Sequence, residues 1–480
     1  MVETPGERKA MLVSSNFESS NLVALAGAST VGPGRGAGKL KIALISPRGP
    51  LYRHRGGIWK KTMRYAPLTL TTLASLVPAE IPAEISILDE GMDEIDVDRI
   101  DADLVGISAI TGAAPRSYEI SAGLRKRGIP VAIGGVHPTL VPEEAMRHAD
   151  SVVVGYAEES WPQLLRDFVA GQMRKRYDQS PALKLANLPF PQRQLFDSRL
   201  VNVADTIEAT RGCIYQCDFC VVPAAWGKPL QKPVADVIAD LKQMGARRVI
   251  FLDLNLIADV LYAKELFTAL IPLKIKWGGL ATTTIAWDDE LLDLAARSGR
   301  RGLLIGFESV NQAALLEAKK AFNMRTSYHD VVKRIHARGI AIMGCFVFGF
   351  DHDTLDSFDE TVSLVMETRI DLPRYAIATP FPATGFYKRL KAAGRLITED
   401  WSLYDGQHVV FHPKNMTADQ LLKNTNQAWR NTYSYSAIWK RLSGSRTQLP
   451  IAIPANYGYR FYAHHLESFY TCDWQLAPGA

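Results

Sequence analysis

The sequence predicts an α/β protein built from two βα units: a doubly wound parallel sheet, then a partial (β/α)6 barrel, then a small, mostly helical C-terminal region. Three observations carry this. Short apolar runs alternate with helix-period segments over residues 40–170, and a second such series occupies residues 201–385. Between them, the connector 171–200 holds Asn187-Leu188-Pro189-Phe190-Pro191, which its prolines keep extended. At 480 residues the chain is too long for one ordinary domain, so two or three are expected.

Residues 1–39 read as a disordered leader, rich in Gly, Ser, Ala and Pro and without periodicity. Its end, Gly34–Lys39, is not a phosphate loop: the G-x4-G-K spacing needs glycine at Pro33, and Leu40 replaces the magnesium-binding hydroxyl. In the first unit, Lys41–Ser46, Ile85–Leu88, Leu104–Ala109, Val131–Gly134 and Ser151–Val154 read as buried parallel strands. Leu68–Val77, Pro115–Lys126, Pro142–His148 and Ser160–Ala170 read as the helices between them. Such a sheet binds its ligand beyond the carboxyl ends of its strands, where strand order reverses. That gathers Pro47–Gly57, Ser108–Ala114 and Gly134–Thr139 around one crevice, and Gly134-Gly135 would let the backbone approach a bulky ligand. The residues alone leave the occupant open: a flavin, a nucleotide, or no ligand at all. In the connector, Arg174-Lys175-Arg176 reads as a solvated basic patch.

In the second unit the strand candidates are Val203–Thr210, Arg248–Asp253, Lys276–Thr282, Gly302–Glu308, Ala341–Val347 and Arg374–Ala378. Pro233–Met244, Val260–Ile271, Asp289–Arg297, Tyr328–Arg338 and Ser357–Thr368 supply the helices. In a barrel, chemistry belongs at the carboxyl ends of the strands. After the first strand comes Arg211-Gly212-Cys213-Ile214-Tyr215-Gln216-Cys217-Asp218-Phe219-Cys220, which holds three of the chain's five cysteines. Thiolates are soft ligands for zinc, copper(I) or iron–sulfur clusters. Three protein ligands on a four-iron cube would leave one iron open. A structural zinc would want a fourth Cys or His at a fixed spacing, and none follows. An odd cysteine count without a secretory signal argues against disulfides.

C-x3-C-x2-C with Phe219 before the third cysteine resembles the signature of the radical S-adenosylmethionine (SAM) enzymes. The resemblance implies that Cys213, Cys217 and Cys220 ligate a [4Fe–4S] cluster. Its open iron would bind SAM and cleave it to a 5′-deoxyadenosyl radical. It also implies SAM contacts from Phe219, from Asp253 and Asn255 near the amino end, and from Thr282, Glu308 and Ser309. Ile340, in Gly339–Gly344, would flank the adenine. Asp253 and Ser309 equally suit capping of the helices that follow them.

The first unit, in turn, resembles the cobalamin-binding domain (Rossmann- or flavodoxin-like) joined to many radical SAM proteins. The matching residues are Gly134-Gly135-Val136-His137-Pro138-Thr139, the Ser108–Thr111 loop and Gly155-Tyr156-Ala157-Glu158. By resemblance, Ser108, Thr111, Gly134, Gly135, His137 and Glu158 would hold the corrin ring and its nucleotide tail. His54 and Gly57 fit the D-x-H-x-x-G spacing of domains that ligate cobalt through histidine, but Tyr52 stands where they carry Asp. No histidine lower ligand is therefore expected.

Together the two resemblances imply a cobalamin-dependent radical SAM methyltransferase acting on an unactivated carbon of a small-molecule or natural-product substrate. One SAM would remethylate cobalamin and another would generate the radical. Ring formation, oxidation or rearrangement without methyl transfer is the alternative, and a zinc-held non-catalytic module a more distant one. The family implies an electron donor such as flavodoxin or ferredoxin. The formal net charge of +5, without a long basic run, gives no sign of nucleic acid. No stretch has the eighteen or so apolar residues of a membrane span, and a cytoplasmic enzyme is the expectation. Residues 386–480 read as amphipathic Phe386–Ala393, a helical region over Ala418–Arg441, and an aromatic tail. The tail holds Tyr457, Tyr459, Phe461, Tyr462, His464 and His465 and is expected to pack on the protein's own body. Cys345 reads as a buried structural cysteine, and neither it nor Cys472 has a ligand's spacing.

Overall fold

The computed structural model describes residues 38–49, 68–91, 94–196, 205–443, 445 and 447–466. The leader as far as residue 37, the loop around His54 and Cys472 lie outside the described residues. The first sheet contains β1 (Leu40–Ser46), β2 (Ala83–Asp89), β3 (Leu104–Ser108), β4 (Val131–Gly134), β5 (Ser151–Val154) and β6 (Arg176–Asp178). All pairs are parallel, in the order β2-β1-β3-β4-β5-β6. The order reverses between β1 and β3, which sets the crevice at their carboxyl ends.

β6 was not expected. It falls in the connector, where the basic triplet masked it, and it adds a sixth strand to the five predicted. Tyr177 is its buried residue, and the neighbouring Lys175 donates to the carbonyl of Ala149. A short edge strand needs only one apolar side chain facing the core, too little for a periodic signal.

The second unit opens with β7 (Asp205–Ile207), β8 (Thr210–Arg211) and β9 (Leu230–Gln231), and continues with β10 (Arg248–Phe251), β11 (Lys276–Ala281), β12 (Arg300–Glu308), β13 (Ala341–Phe348) and β14 (Leu372–Ile377). Six parallel strands stand in the order β14-β13-β12-β11-β10-β7, a partial barrel. Along β13, Ile342, Phe346 and Phe348 are buried against the helical layer while Ala341, Met343, Cys345 and Val347 are half-buried on the other face. That period of two is what a curved sheet with one packed face and one hollow face requires.

The predicted strand Val203–Thr210 is interrupted. Its part within the described residues leaves the barrel after Ile207, and Thr210–Arg211 pairs antiparallel with β9 in a separate ribbon. Helices Ala418–Thr432, Tyr435–Leu442 and Leu449–His464 close the outer side of β14. Trp429 stacks on Tyr433 and Tyr459, and Tyr375 bonds Thr432 at 2.7 Å. Tyr459 and Tyr462 thus pack on the body as expected, whereas Tyr457 and Phe461 face outward.

Candidate functional site

The break between β7 and β8 has a visible cause. Asp253, fully buried just after β10, accepts from the Ala209 amide at 3.1 Å, from the Thr210 amide, and from the Thr210 hydroxyl at 2.8 Å. These bonds replace the sheet ladder and steer the chain out of the barrel. Burial, with the nearby Glu208 carboxylate, raises the Asp253 carboxyl to about 7. Gly212 follows with φ +78°, where a Cβ would meet Pro229 Cα at 3.2 Å.

The loop so released carries Cys213, Cys217 and Cys220, all free and partly exposed. Four segments hold it. The Asp218 amide donates to Ala318 at 3.0 Å, its carbonyl accepts from Phe386 at 3.0 Å, and its carboxylate is bonded by Arg389. Tyr215 stacks on Phe322 at 3.8 Å and hydrogen-bonds Thr282 and Thr284. Burial pushes the Cys217 thiol up to about 12 and Cys220 upward as well, so a metal bound here must displace protons. Among the described residues, no three His, Cys, Asp or Glu side chains stand close enough to share one ion. Three soft donors on one loop suit an iron–sulfur cluster, and a set of three leaves one corner of a four-iron cube open.

Around this loop the barrel mouth is polar. The Asn255 amide donates to Cys213 Sγ at 3.6 Å, and its buried Oδ1 has no partner. Glu308 ends β12 with φ +65°, a conformation a non-glycine residue seldom holds without cause. Its carboxylate meets the Lys320 ammonium at 2.5 Å, and both side chains are buried. The pair fills the space beside Gly306, where a Cβ would sit 2.2 Å from Glu308 Oε1 and 2.8 Å from Lys320 Nζ. The Thr282 hydroxyl bonds Thr284 at 2.6 Å, and Phe219 lies 5.6 Å from Phe350.

Not every expected SAM residue joins this group. Asp253 is spent on main-chain donors, as described above. Ser309 Oγ accepts from the Asn311 amide at 3.0 Å, a turn role. Ile340 is misplaced in the expectation: it precedes the first residue of β13, whereas the cysteine side lies beyond Phe348, about 25 Å along the strand. Phe350 occupies the end where Ile340 was expected. Lys320 and Phe350 were not foreseen. The only sequence signal for Lys320 was a lysine pair inside an apolar stretch.

Where the two sheets face each other lies a cavity of about 320 Å³. Ser108, Gly134, Gly135 and Glu158 line it from the first unit, and Glu208, Thr210, Arg211 and Trp226 from the second. Gly135 has φ +104°, and a Cβ there would meet the Ala109 carbonyl oxygen at 2.7 Å. Arg211 spans the seam, 2.5 Å from Glu158 and 2.7 Å from Glu208, with Tyr156 stacked on Trp226 at 4.6 Å beneath it. Although burial opposes it, the two carboxylates hold the guanidinium well above its ordinary range. The inner wall, with Leu73, Leu76, Ala132, Val153 and Trp161, is apolar, and Trp161 Nε1 and Glu158 Oε2 are buried without partners. An apolar slot with isolated polar atoms and a glycine-lined floor suits part of a large cofactor such as cobalamin, whose whole body exceeds this volume.

Thr111 and His137 do not line this cavity. Thr111 opens a short 3-10 turn. His137 is fully buried and contacts Tyr118 at 3.2 Å and Glu144 at 3.3 Å. Glu144 in turn accepts from Trp401 Nε1 at 3.1 Å, so His137 braces the C-terminal segment.

Comparison with known proteins agrees with this geometry. The "B12 binding domain" family matches residues 81–165 and the "Radical SAM superfamily" residues 207–365. A bacteriochlorophyllide d C-12(1)-methyltransferase of Chlorobaculum tepidum is 33% identical over 390 residues, covering 79% of this chain and 85% of the relative. A bacteriochlorophyllide d C-8(2)-methyltransferase of the same organism is 32% identical over 72% of this chain and 80% of its own length. The structure of the radical SAM methyltransferase TsrM from Kitasatospora setae shares the fold, with a TM-score of 0.65 at 15% identity over 89% of this chain and 98% of that one. The chain thus belongs to the family of radical SAM enzymes that carry an N-terminal cobalamin-binding domain.

Proposed function

We propose that this protein is a cobalamin-dependent radical SAM methyltransferase that places a methyl group on an unactivated carbon. The single observation that carries the reading is the shared wall between the cavity and the cysteine loop: Arg211 lines the cavity and lies two residues before Cys213. When bound, the cluster supplies the electron that cleaves SAM to a hydrogen-abstracting radical, and cobalamin supplies the methyl group.

Each residue then has a task. Cys213, Cys217 and Cys220 hold the cluster, and Asn255 donates to the sulfur of Cys213. Glu308 offers a carboxylate oxygen to the amino or ribose end of SAM, with Lys320 fixing its position. Thr282 and Thr284 add hydroxyls, and Phe219 and Phe350 provide apolar contact. Ser108, Gly134, Gly135 and Glu158 line the cobalamin site. Residues 40–170 serve cobalamin and 201–385 serve SAM. An external one-electron donor, of the flavodoxin or ferredoxin type, and the reducing cytoplasm complete the assignment. The two Chlorobaculum relatives support a tetrapyrrole with a peripheral alkyl carbon as the first acceptor to try.

The test is anaerobic turnover with methyl-labelled SAM and bacteriochlorophyllide d, beside metabolite profiling of a deletion strain fed labelled methionine. A product carrying the intact labelled methyl supports the proposal. An unlabelled, cyclised or oxidised product replaces methyl transfer with the alternative chemistry. Zinc in place of iron and sulfide after anaerobic purification would defeat both.

A further inference from the structure

We infer that the outer face of the C-terminal helix pair docks the protein on an anionic lipid bilayer, at the base of the barrel and away from the cysteine loop. This goes beyond the proposed reaction and does not depend on it. Large apolar side chains cluster here in the open: Trp439 is 76% exposed, Tyr435 63%, Ile451 62% and Tyr457 53%. They join into one surface. Trp439 lies one helical turn after Tyr435, Tyr435 lies 6.2 Å from Tyr457, and Phe461 follows Tyr457 by a further turn and stacks on His465. Trp and Tyr with an apolar body and a wet edge are the side chains that settle at a headgroup boundary.

Charge selects the partner. From residue 420 to 466 there is no Asp or Glu, while Lys423, Arg430 and Lys440 are exposed cations and Arg460 a half-buried one. Lys440 is exposed beside Trp439, and Arg460 stacks over Tyr435 at 3.7 Å. At the amino ends of the neighbouring barrel strands, Arg248, Lys276 and Arg301 add positive charge. Asp371, the acidic residue among them, is bonded to His336 at 2.8 Å and to the Ile342 amide. An aromatic and cationic helical face without acids fits an interfacial helix on anionic headgroups. No helix of the described residues is long and apolar enough to cross a membrane, so the contact is with the surface.

The location carries a consequence for access. An apolar trough of about 450 Å³ runs along the inner face of the barrel, lined by Ile250, Leu280, Leu304, Met343 and Leu372. Ile451, exposed in the first turn of the docking helix, forms part of its lip. An apolar molecule dissolved in the bilayer would therefore meet this trough beside the docking helix.

The experiment is co-sedimentation of the full chain with large unilamellar vesicles. We expect binding to phosphatidylcholine/phosphatidylglycerol vesicles at 7:3 and little to phosphatidylcholine alone. Each cation near such a surface contributes about fivefold in partitioning. Trp439→Ala with Lys440→Glu is expected to lose at least about tenfold, Lys276→Glu with Lys440→Glu a similar factor. Leu261→Glu, at a residue 80% exposed elsewhere, is expected to bind as the parent does. Thermal midpoints and iron content of each variant exclude unfolding. Three results would overturn the inference. One is absence of binding to anionic vesicles. Another is a dimer that Trp439→Ala with Lys440→Glu dissociates, which would make a second copy the occupant. The last is vesicle binding only by a chain ended at residue 466, which would make the chain's own last residues the cover.

Discussion

The Arg211 guanidinium lies 2.5 Å from the Glu158 carboxylate, joining the strand that leads to the cysteines with the loop after β5. The Arg211 and Glu158 side chains are 10% and 3% exposed, so neither charge has water to fall back on. Removing one partner of a buried pair leaves the other unpaired and costs about 3–5 kcal/mol. Arg211→Met should therefore lower the denaturation midpoint clearly and weaken cobalamin retention. Arg211→Met combined with Glu158→Gln should lose less than the sum of the two. Denaturant titration of all four proteins, as a double-mutant cycle, measures the coupling.

Two glycine substitutions should separate the two cofactors. In Gly385→Ala the new Cβ would lie 2.1 Å from Asp218 Oδ1, displacing one of the two residues between Cys217 and Cys220. Iron content should fall while cobalamin binding persists. In Gly135→Ala the Cβ would press on Ala109 backbone atoms at 2.7 and 2.8 Å, from a positive φ. Cobalamin binding should fall while iron persists. Parallel iron assay and cobalamin absorbance test both.

Asp253 gives a pH-dependent expectation. Its folded carboxyl titrates at about 7, above the ordinary carboxylate range, chiefly through burial. The folded state thus binds a proton that the unfolded chain has released. The resulting stabilisation is fully present below the unfolded value and is lost as pH rises through about 7. Asn cannot titrate, and its amide would face the donors of Ala209 and Thr210, at a cost of about 1–3 kcal/mol. The stability gap between parent and Asp253→Asn should be wider at pH 5 than at pH 8. Chemical denaturation at the two pH values reads it.

Lys320 and Glu308 should behave as a unit. Lys320→Met strands the buried Glu308 carboxylate and should destabilise by about 3–5 kcal/mol. Adding Glu308→Gln should recover much of the stability but none of the SAM cleavage, if the carboxylate itself meets SAM. Thermal midpoints and 5′-deoxyadenosine release by chromatography check the two halves.

The parts of the protein visible in the sequence are those that depend on local repetition. Apolar runs of period two and helices between them made both sheets legible, and C-x3-C-x2-C marked the cysteine loop. Long-range pairings were invisible. Lys320 reads as a surface lysine until β12 brings Glu308 to it, and Arg211 as a loop arginine until two units place Glu158 and Glu208 around it. Asp253 was recognised as a polar residue at a strand end, but spacing says nothing about whether a carboxylate turns outward or back to its own backbone. Ile340 erred for a simpler reason: a motif read without strand direction was assigned to the wrong end of β13.

The hold on Asp218 also sets an order of assembly. Its carboxylate is gripped by Arg389, 171 residues later in the chain, and its carbonyl by the Phe386 amide. Until the ribosome has released Gly385–Ala392, the middle of the cysteine loop lacks these anchors. Iron–sulfur delivery to a growing chain would meet a loop without its final shape. Maturation should then follow completion of the barrel, which makes the cluster a late arrival in the life of each molecule.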